Sequence, residues 1–446
     1  VDRRLADRLF IGVVTAKARW QDLRMGPITI FDKSALQALN MDEAVWFDAF
    51  FLANVVPLFY VETLADLEKA VAEGKTPEDI VGMLAAKTPS GAVPNVYHRA
   101  LISAELLGQE IEMSGRAMVG AGEAMKAPDG KLGIHIDEFP EAATLLRWKN
   151  HEFLEIERAA AKGWRAELAA QDPDRLIGVL KNILLTEAKV TGFEELKAVI
   201  DSFCASDERE VITLALDVLG VPAPSKRVVL ERWEAAGRPG LEAFAPYSTH
   251  VFKVDLLYYL GIHRGFISGE RASNKADMAY LYYLPFAMVF VSGDKLHHRT
   301  VPLFLRPDQS YVHADEFKAA LREIDQHYDR LPEGIKELGV LQFASFPPLQ
   351  VENTVTRLWD KHMRPEWREI AKQQEAEIGK PRDEAYDRET VAEIRSRLDQ
   401  AQPIVGEEAH LGGDEAAYIV IRRQVPVRKG KWRMVSKEVE EAEREN

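Results

Sequence analysis

A single cysteine, Cys204, stands in a chain of 446 residues. That excludes an intrachain disulfide framework and any multi-cysteine zinc or iron–sulfur site, and it points to the cytoplasm. Long apolar runs are missing as well. The longest candidate, Met278 to Val291, is interrupted by Pro285 and falls short of the ~20 residues that span a bilayer, so no membrane partner is expected. The opening Val-Asp-Arg-Arg-Leu-Ala-Asp lacks the apolar core of a signal peptide. There is no internal repeat and no low-complexity segment. Positive charge is in short supply: 57 Lys and Arg face 71 Asp and Glu, a formal net charge of -14. The field of the whole molecule therefore does not attract nucleic acid, and any such binding must use local basic patches or bound metal.

What remains is the composition of a globular protein, 46% hydrophobic and 29% charged, long enough for two or three domains. Residues 26–70 alternate strand and helix signals: Pro27 to Phe31 reads as a strand, Ser34 to Asn54 as one or two helices, Val55 to Val61 as a second strand, and Glu62 to Glu73 as a helix. That order predicts an α/β unit on a parallel sheet. Residues 75–245 read as helical throughout, starting at the capped, proline-led Thr76-Pro-Glu-Asp. Residues 246–312 return to α/β texture, with strands expected at Ala287 to Val291 and Val301 to Leu305. Residues 313–446 read as helices followed by a basic β-hairpin over Ala416 to Val435, with Arg428-Lys-Gly-Lys at its turn.

Two of the expected strands end in a carboxylate. Ile28-Thr-Ile-Phe31 runs into Asp32, and Ala287 to Val291 leads to Asp294, with Asp277 opening the helix before it. Carboxylates at the C-terminal edge of a parallel sheet suggest a metal site. If four ionised carboxylates converge at ~5 Å with an effective dielectric of ~20, each pair repels by roughly 3 kcal/mol. Such a cluster is expected to bind a cation or to hold raised pKa values.

In this arrangement the chain resembles the PIN-like nucleases. Phe31-Asp32-Lys33-Ser34 resembles their opening strand and Asp-x-Ser. Val61-Glu62-Thr-Leu-Ala-Asp66 resembles the second motif, an acid at the start of a helix. Asp277-Met-Ala-Tyr-Leu resembles the third, and Phe290-Val-Ser292-Gly-Asp294 the fourth. The four occur in the family's order over about a fifth of the chain. More than two hundred residues separate Asp66 from Asp277, so the resemblance implies an α/β domain whose halves, 1–74 and 246–312, are split by an all-α insertion, 75–245. It also implies a metal-dependent endonuclease that hydrolyses phosphodiester bonds, RNA slightly favoured over DNA. Asp32, Glu62, Asp277 and Asp294 would hold Mg²⁺ or Mn²⁺, with Asp66 as a fifth acid and Ser34 and Ser292 orienting the carboxylates.

Simpler roles exist for each residue. Asp32 and Asp277 suit helix N-caps, Asp294 suits a turn, Ser34 and Ser292 suit capping, and Glu62 with Asp66 suits a solvated helix face paired with Lys69. Glu62 follows the expected strand directly and is the preferred ligand of the two. Lys33, Lys295 and Arg299 adjoin the acids and are candidate phosphate contacts, as are Arg428, Lys429 and Lys431 of the hairpin. A solvated edge strand protected by Lys and Arg accounts for the hairpin equally well. His297-His298 reads mainly as surface or core histidine, since neighbours on a strand diverge. Tyr280, Tyr282, Tyr283 and Cys204 read as core. A haloacid-dehalogenase-like phosphatase needs a second Asp two residues after the first, where Ser34 stands. The remaining rival is a catalytically silent scaffold whose helical block binds a protein partner or a second copy.

Overall fold

The computed structural model describes residues 9–15, 26–71, 74–118, 122–136, 139–170, 173–184, 190–271, 273–378, 400–404 and 418–444. Its first strand, β1 (Leu9–Thr15), belongs to a second sheet described below. The site-bearing sheet starts at β2 (Ile28–Phe31), whose four residues are all buried, as expected of a strand covered on both faces. Helices α1 (Lys33–Ala38) and α2 (Met41–Phe50) cross to β3 (Leu52–Val55). Asn40 and Glu43 close a capping box at the start of α2. Helices α3 (Pro57–Leu64) and α4 (Pro77–Lys87) then lead to β4 (Val93–Pro94).

The chain leaves this sheet for α5 (His98–Leu106), the hairpin β5 (Glu123–Lys126) and β6 (Leu132–Ile136), and a helical stretch. That stretch comprises α6 (Pro140–Lys149), α7 (Glu155–Ala170), α8 (Pro173–Leu184), α9 (Phe193–Cys204), α10 (Arg209–Val218), α11 (Ala223–Ala235) and α12 (Leu241–Phe244). The long α13 (Pro246–His263) and then α14 (Ser273–Tyr280) bring it back to β7 (Val289–Ser292), α15 (Lys295–Thr300), β8 (Ser310–His313) and α16 (Ala314–Asp329).

The sheet order is β4-β3-β2-β7-β8, and every pairing in it is parallel. From β2 the chain steps outward through β3 to β4. It re-enters at β7 on the other side of β2 and steps outward again to β8. The strand order therefore reverses between β2 and β7, which opens a crevice at their carboxyl ends. Asp32 follows β2 there, and Asp294 follows β7 by two residues.

Several sequence expectations need correction. The second strand is Leu52–Val55, and most of Val55 to Val61 is helix. Pro57 sits in the first turn of that helix, where a missing N–H costs nothing. Val301 to Leu305 supplies only a 3-10 turn, Val301–Leu303, and the edge strand is Ser310–His313. Residues 75–245 are not all helical, because β4 extends the parallel sheet while β5 and β6 join a second sheet, ordered β1-β10-β6-β5-β9. In that sheet β10 (Tyr418–Gln424) lies antiparallel to β1 and parallel to β6, and β9 is Gln402–Pro403. The C-terminal hairpin shrinks accordingly to β11 (Arg428–Lys429) and β12 (Trp432–Arg433). It turns at Gly430, whose φ is 57°. A Cβ there would lie 2.1 Å from the Asp42 carboxylate.

The helical stretch does not stand apart. Phe193, Leu196 and Ile200 of α9 belong to the same buried apolar cluster as Ile30 and Phe31 of β2. Helix α13 is buried nearly all round and packs against α8 and α9 as well as α5 and α14, the placement of a central core helix. Among the described residues no helix is long and apolar enough to cross a membrane.

Candidate functional site

Asp32 leaves β2 as the N-cap of α1 and accepts from the Ala35 amide at 2.9 Å. Ser34 Oγ lies 2.7 and 2.8 Å from its two carboxylate oxygens, and Ser292 Oγ, at the end of β7, donates to Oδ2 at 2.7 Å. The Gly293 amide in turn donates to Ser34 Oγ at 2.9 Å. The two serines thus tie the ends of β2 and β7 around one carboxylate.

Asp294 caps α15, its Oδ1 accepting from the amides of Leu296 (2.6 Å) and His297 (3.3 Å). The segment is therefore helix and not strand, and adjacent histidines on it part company: His297 is buried and His298 exposed. His297 Nε2 lies 2.6 Å from the Asp277 carbonyl, which can only accept, so Nε2 carries a proton. Ser292 spends its one proton on Asp32, so His297 Nδ1, 2.8 Å from Ser292 Oγ, must donate as well. Both nitrogens are protonated and the ring is an imidazolium, 3.3 Å from Asp32 Oδ2. Burial works against that charge, but the bond and charge of Asp32, with help from Asp277, push the pKa up to about 9. Burial likewise works against the Asp32 carboxylate, and His297, Ser292 and Ser34 hold it below its usual range.

Lys33 turns inward from α1 and is 7% exposed. Its ammonium lies 3.1 Å from Glu62 Oε1 and 3.2 Å from Asp66 Oδ1. Despite burial, these two acids raise its pKa. Glu62 sits inside α3, not directly after a strand, and its Oε2 accepts from Tyr280 at 2.8 Å. Asp66, in the 3-10 turn beyond α3, pairs also with Lys69 at 2.5 Å. Asp277 lies inside α14 and does not open it. Burial pushes its carboxyl up to about 7, opposed by His297 and reinforced by the charges of Glu62, Asp294 and Asp32. The charges of Asp32, Glu62 and Asp294 thus reach Asp277 from three other segments.

The donors are all oxygen, the type that hard divalent cations select. Among the described residues no three Asp, Glu, His or Cys side chains stand together as a ready ligand set for one ion. The hydrogen bonds explain why. Both oxygens of Asp32 are engaged, and Glu62 is held by Lys33 and Tyr280. Oxygen capacity is left on Asp277, on the Oδ2 of Asp294 and on the Oδ2 of Asp66, which is buried without a hydrogen-bond partner. Carboxylate oxygen is the donor type that Mg²⁺ takes, and one or two carboxylates can hold it while it keeps several of its waters.

The basic residues divide. Lys295 is exposed in the first turn of α15, beside the acids. Arg299 is turned toward the helical stretch, donating to the Phe266 carbonyl at 3.2 Å and lying over the Phe193 ring at 4.6 Å. Lys33 is committed inside the cluster. The hairpin cations have structural partners: Arg428 binds Glu440 through two bonds, and Lys431 pairs with Asp325 and Asp329. Lys429 is buried against Asp48 and the carbonyls of Lys87 and Thr88. Trp432 is buried edge-on against Trp46, so the hairpin docks on its own protein. Tyr282, Tyr283 and Cys204 lie in the core as expected, and burial pushes the Cys204 thiol up to about 12. No protein-family model, curated protein or solved structure matches the chain.

Proposed function

We propose that the carboxyl edge between β2 and β7 is the active site of a metal-dependent nuclease of the PIN-like kind, hydrolysing phosphodiester bonds, with RNA slightly favoured over DNA. One observation carries the reading: Asp32 and Asp294 follow the two strands between which a parallel sheet reverses its order, and their charges, with that of Glu62, reach Asp277. Active-site ligands collect at such crevices, and a carboxyl whose pKa is raised by burial, with neighbouring carboxylates adding to it, is the kind of perturbed group that functional sites hold.

Mg²⁺ or Mn²⁺ would be held by Asp277 and Asp294 and would supply Lewis acidity toward a phosphate oxygen and a water of lowered pKa. The chain's own part is placement. Ser34 and Ser292 fix Asp32 between two strand ends, and His297 joins Asp32 to the backbone of Asp277. Lys33 and Tyr280 fix Glu62, and Lys295 offers an exposed ammonium to a phosphate.

Purified protein incubated with unstructured RNA and Mn²⁺ or Mg²⁺ is expected to cleave it, and chelation is expected to stop cleavage. Asp294→Asn is expected to lose at least ~100-fold in rate, as loss of a charge-stabilising group does, while keeping its circular dichroism spectrum. Absence of metal-dependent cleavage of RNA and of single-stranded DNA would sink the reading. One observation favours a second one. Lys33 and His297 already neutralise part of the cluster from within, as in a catalytically silent scaffold, which would show neither cleavage nor stabilisation by metal.

A further inference from the structure

We propose that the cavity enclosed by α3, α4, α6 and the segment 425–430 binds a small anionic amphiphile, a carboxylate or phosphate carried on an apolar body. The cavity holds about 450 Å³, within the ~300–1,000 Å³ of sites that enclose small molecules. Its walls are apolar and polar in nearly equal part, with Tyr60, Leu145, Leu146 and Pro426 on the apolar side. None of the acids of the candidate active site lines it.

Its polar end is asymmetric in charge. Lys429 lies at the wall, but its three N–H groups are spent on Asp48 at 3.1 Å and on the carbonyls of Lys87 and Thr88 at 3.2 and 3.1 Å. Arg428 is held by Glu440. Lys149, in the last turn of α6, also lines the space, and among the described residues no carboxylate pairs with it. It is solvent-exposed and close enough to Lys429 for the two charges to oppose one another. The lining thus carries Lys149, Arg428 and Lys429 and no carboxylate among the described residues. That balance is complementary to an anion with an apolar body, and a cation would be repelled.

The test uses the whole chain and three eight-carbon probes below their micelle concentrations: octanoate, octyl phosphate and 1-octanol. Thermal unfolding and titration calorimetry are expected to show saturable binding of at least one anion, at least tenfold tighter than 1-octanol. The better anion identifies the head group, carboxylate or phosphate. Lys149→Met is expected to weaken that anion about tenfold, the size of one charge-assisted hydrogen bond, and to leave 1-octanol unchanged. Leu146→Trp, at an exposed wall position, is expected to narrow the cavity and weaken binding of all three probes in a folded protein. The proposal is overturned if no anion binds, if 1-octanol binds as well as the anions, or if either variant binds the anion like the original protein.

Discussion

Asp277 is a carboxyl that the folded chain holds at a cost. Its pKa rises from an ordinary 3.8 to about 7 on folding, so the folded state keeps a proton that the unfolded state has lost. Between those two values the folded protein binds more protons, and stability falls as pH rises through the window. The full penalty applies above pH 7. Asp277→Asn removes it, and that variant is expected to be more stable than the parent by ~1–3 kcal/mol at pH 8, discounted for partial solvent contact. The gain should shrink toward zero near pH 4, as urea unfolding at several pH values would show. Under the proposed function the same variant loses cleavage, the trade expected where function needs a destabilised group. A variant destabilised at pH 8 would contradict the crowding of acids around Asp277. At this scale the sequence was legible where strands end, because Asp32 and Asp294 follow apolar β-type runs. It was not legible at Lys33 and His297. Nothing local announces that a lysine beside three serviceable acids turns inward. His297 becomes a buried cation because the helix capped by Asp294 turns it toward Asp32 and the Asp277 carbonyl while His298 faces solvent.

Glu105 shows how one element depends on another. Helix α13 begins with Pro246 and has no side-chain cap of its own. The Glu105 carboxylate, from α5, takes that place: it accepts from the Tyr247 amide at 2.8 Å, the Ser248 amide at 2.6 Å and the Ser248 hydroxyl at 2.7 Å. It is 3% exposed. Glu105→Ala leaves two amides at a buried helix start without an acceptor and removes a negative charge from the positive end of the helix. It is expected to cost ~2–4 kcal/mol in denaturant unfolding, while Glu105→Gln, which keeps one acceptor, should cost about half. Equal losses in both variants would point to packing instead. Such a cap supplied from another helix leaves no sequence motif, unlike the Asn40 and Thr76 boxes, which are written in consecutive residues. Strand placement failed for a related reason. Val55 to Val61 has strand-like composition, but Pro57 starts a helix there, and the apolar side chains are needed on a helix face against the sheet, where Phe59 meets Phe31 at 5.4 Å between ring centroids.

For the molecule as a whole, the sequence disclosed an α/β plan interrupted by helices and suggested an insertion that loops away. The tertiary contacts make a different case. Phe193 of α9 lies in van der Waals reach of α13, 3.5 Å from where a Cβ on Gly261 would sit. Lys253 of α13 meets Asp201 of α9 at 3.1 Å. Helix α13 also contacts α8, α5 and α14, the last carrying Asp277. Hydrophobic periodicity cannot tell a helix buried on one face from one buried all round when both are short of charge, so the shared core was hidden. The physical consequence is cooperative folding. Excising residues 190–245 would uncover the α9 side of α13, at ~1.5–3 kcal/mol for each large apolar side chain returned to water. A few such side chains equal the ~5–15 kcal/mol that stabilises an ordinary domain. The shortened chain is therefore expected to bind an apolar dye strongly, lose its sharp thermal transition and aggregate. The intact protein should unfold in one transition that fluorescence and circular dichroism report at the same midpoint. A shortened chain that stays monomeric and melts sharply would mean that the helical stretch is a separable insertion after all, and that Asp277 reaches the sheet edge without its support.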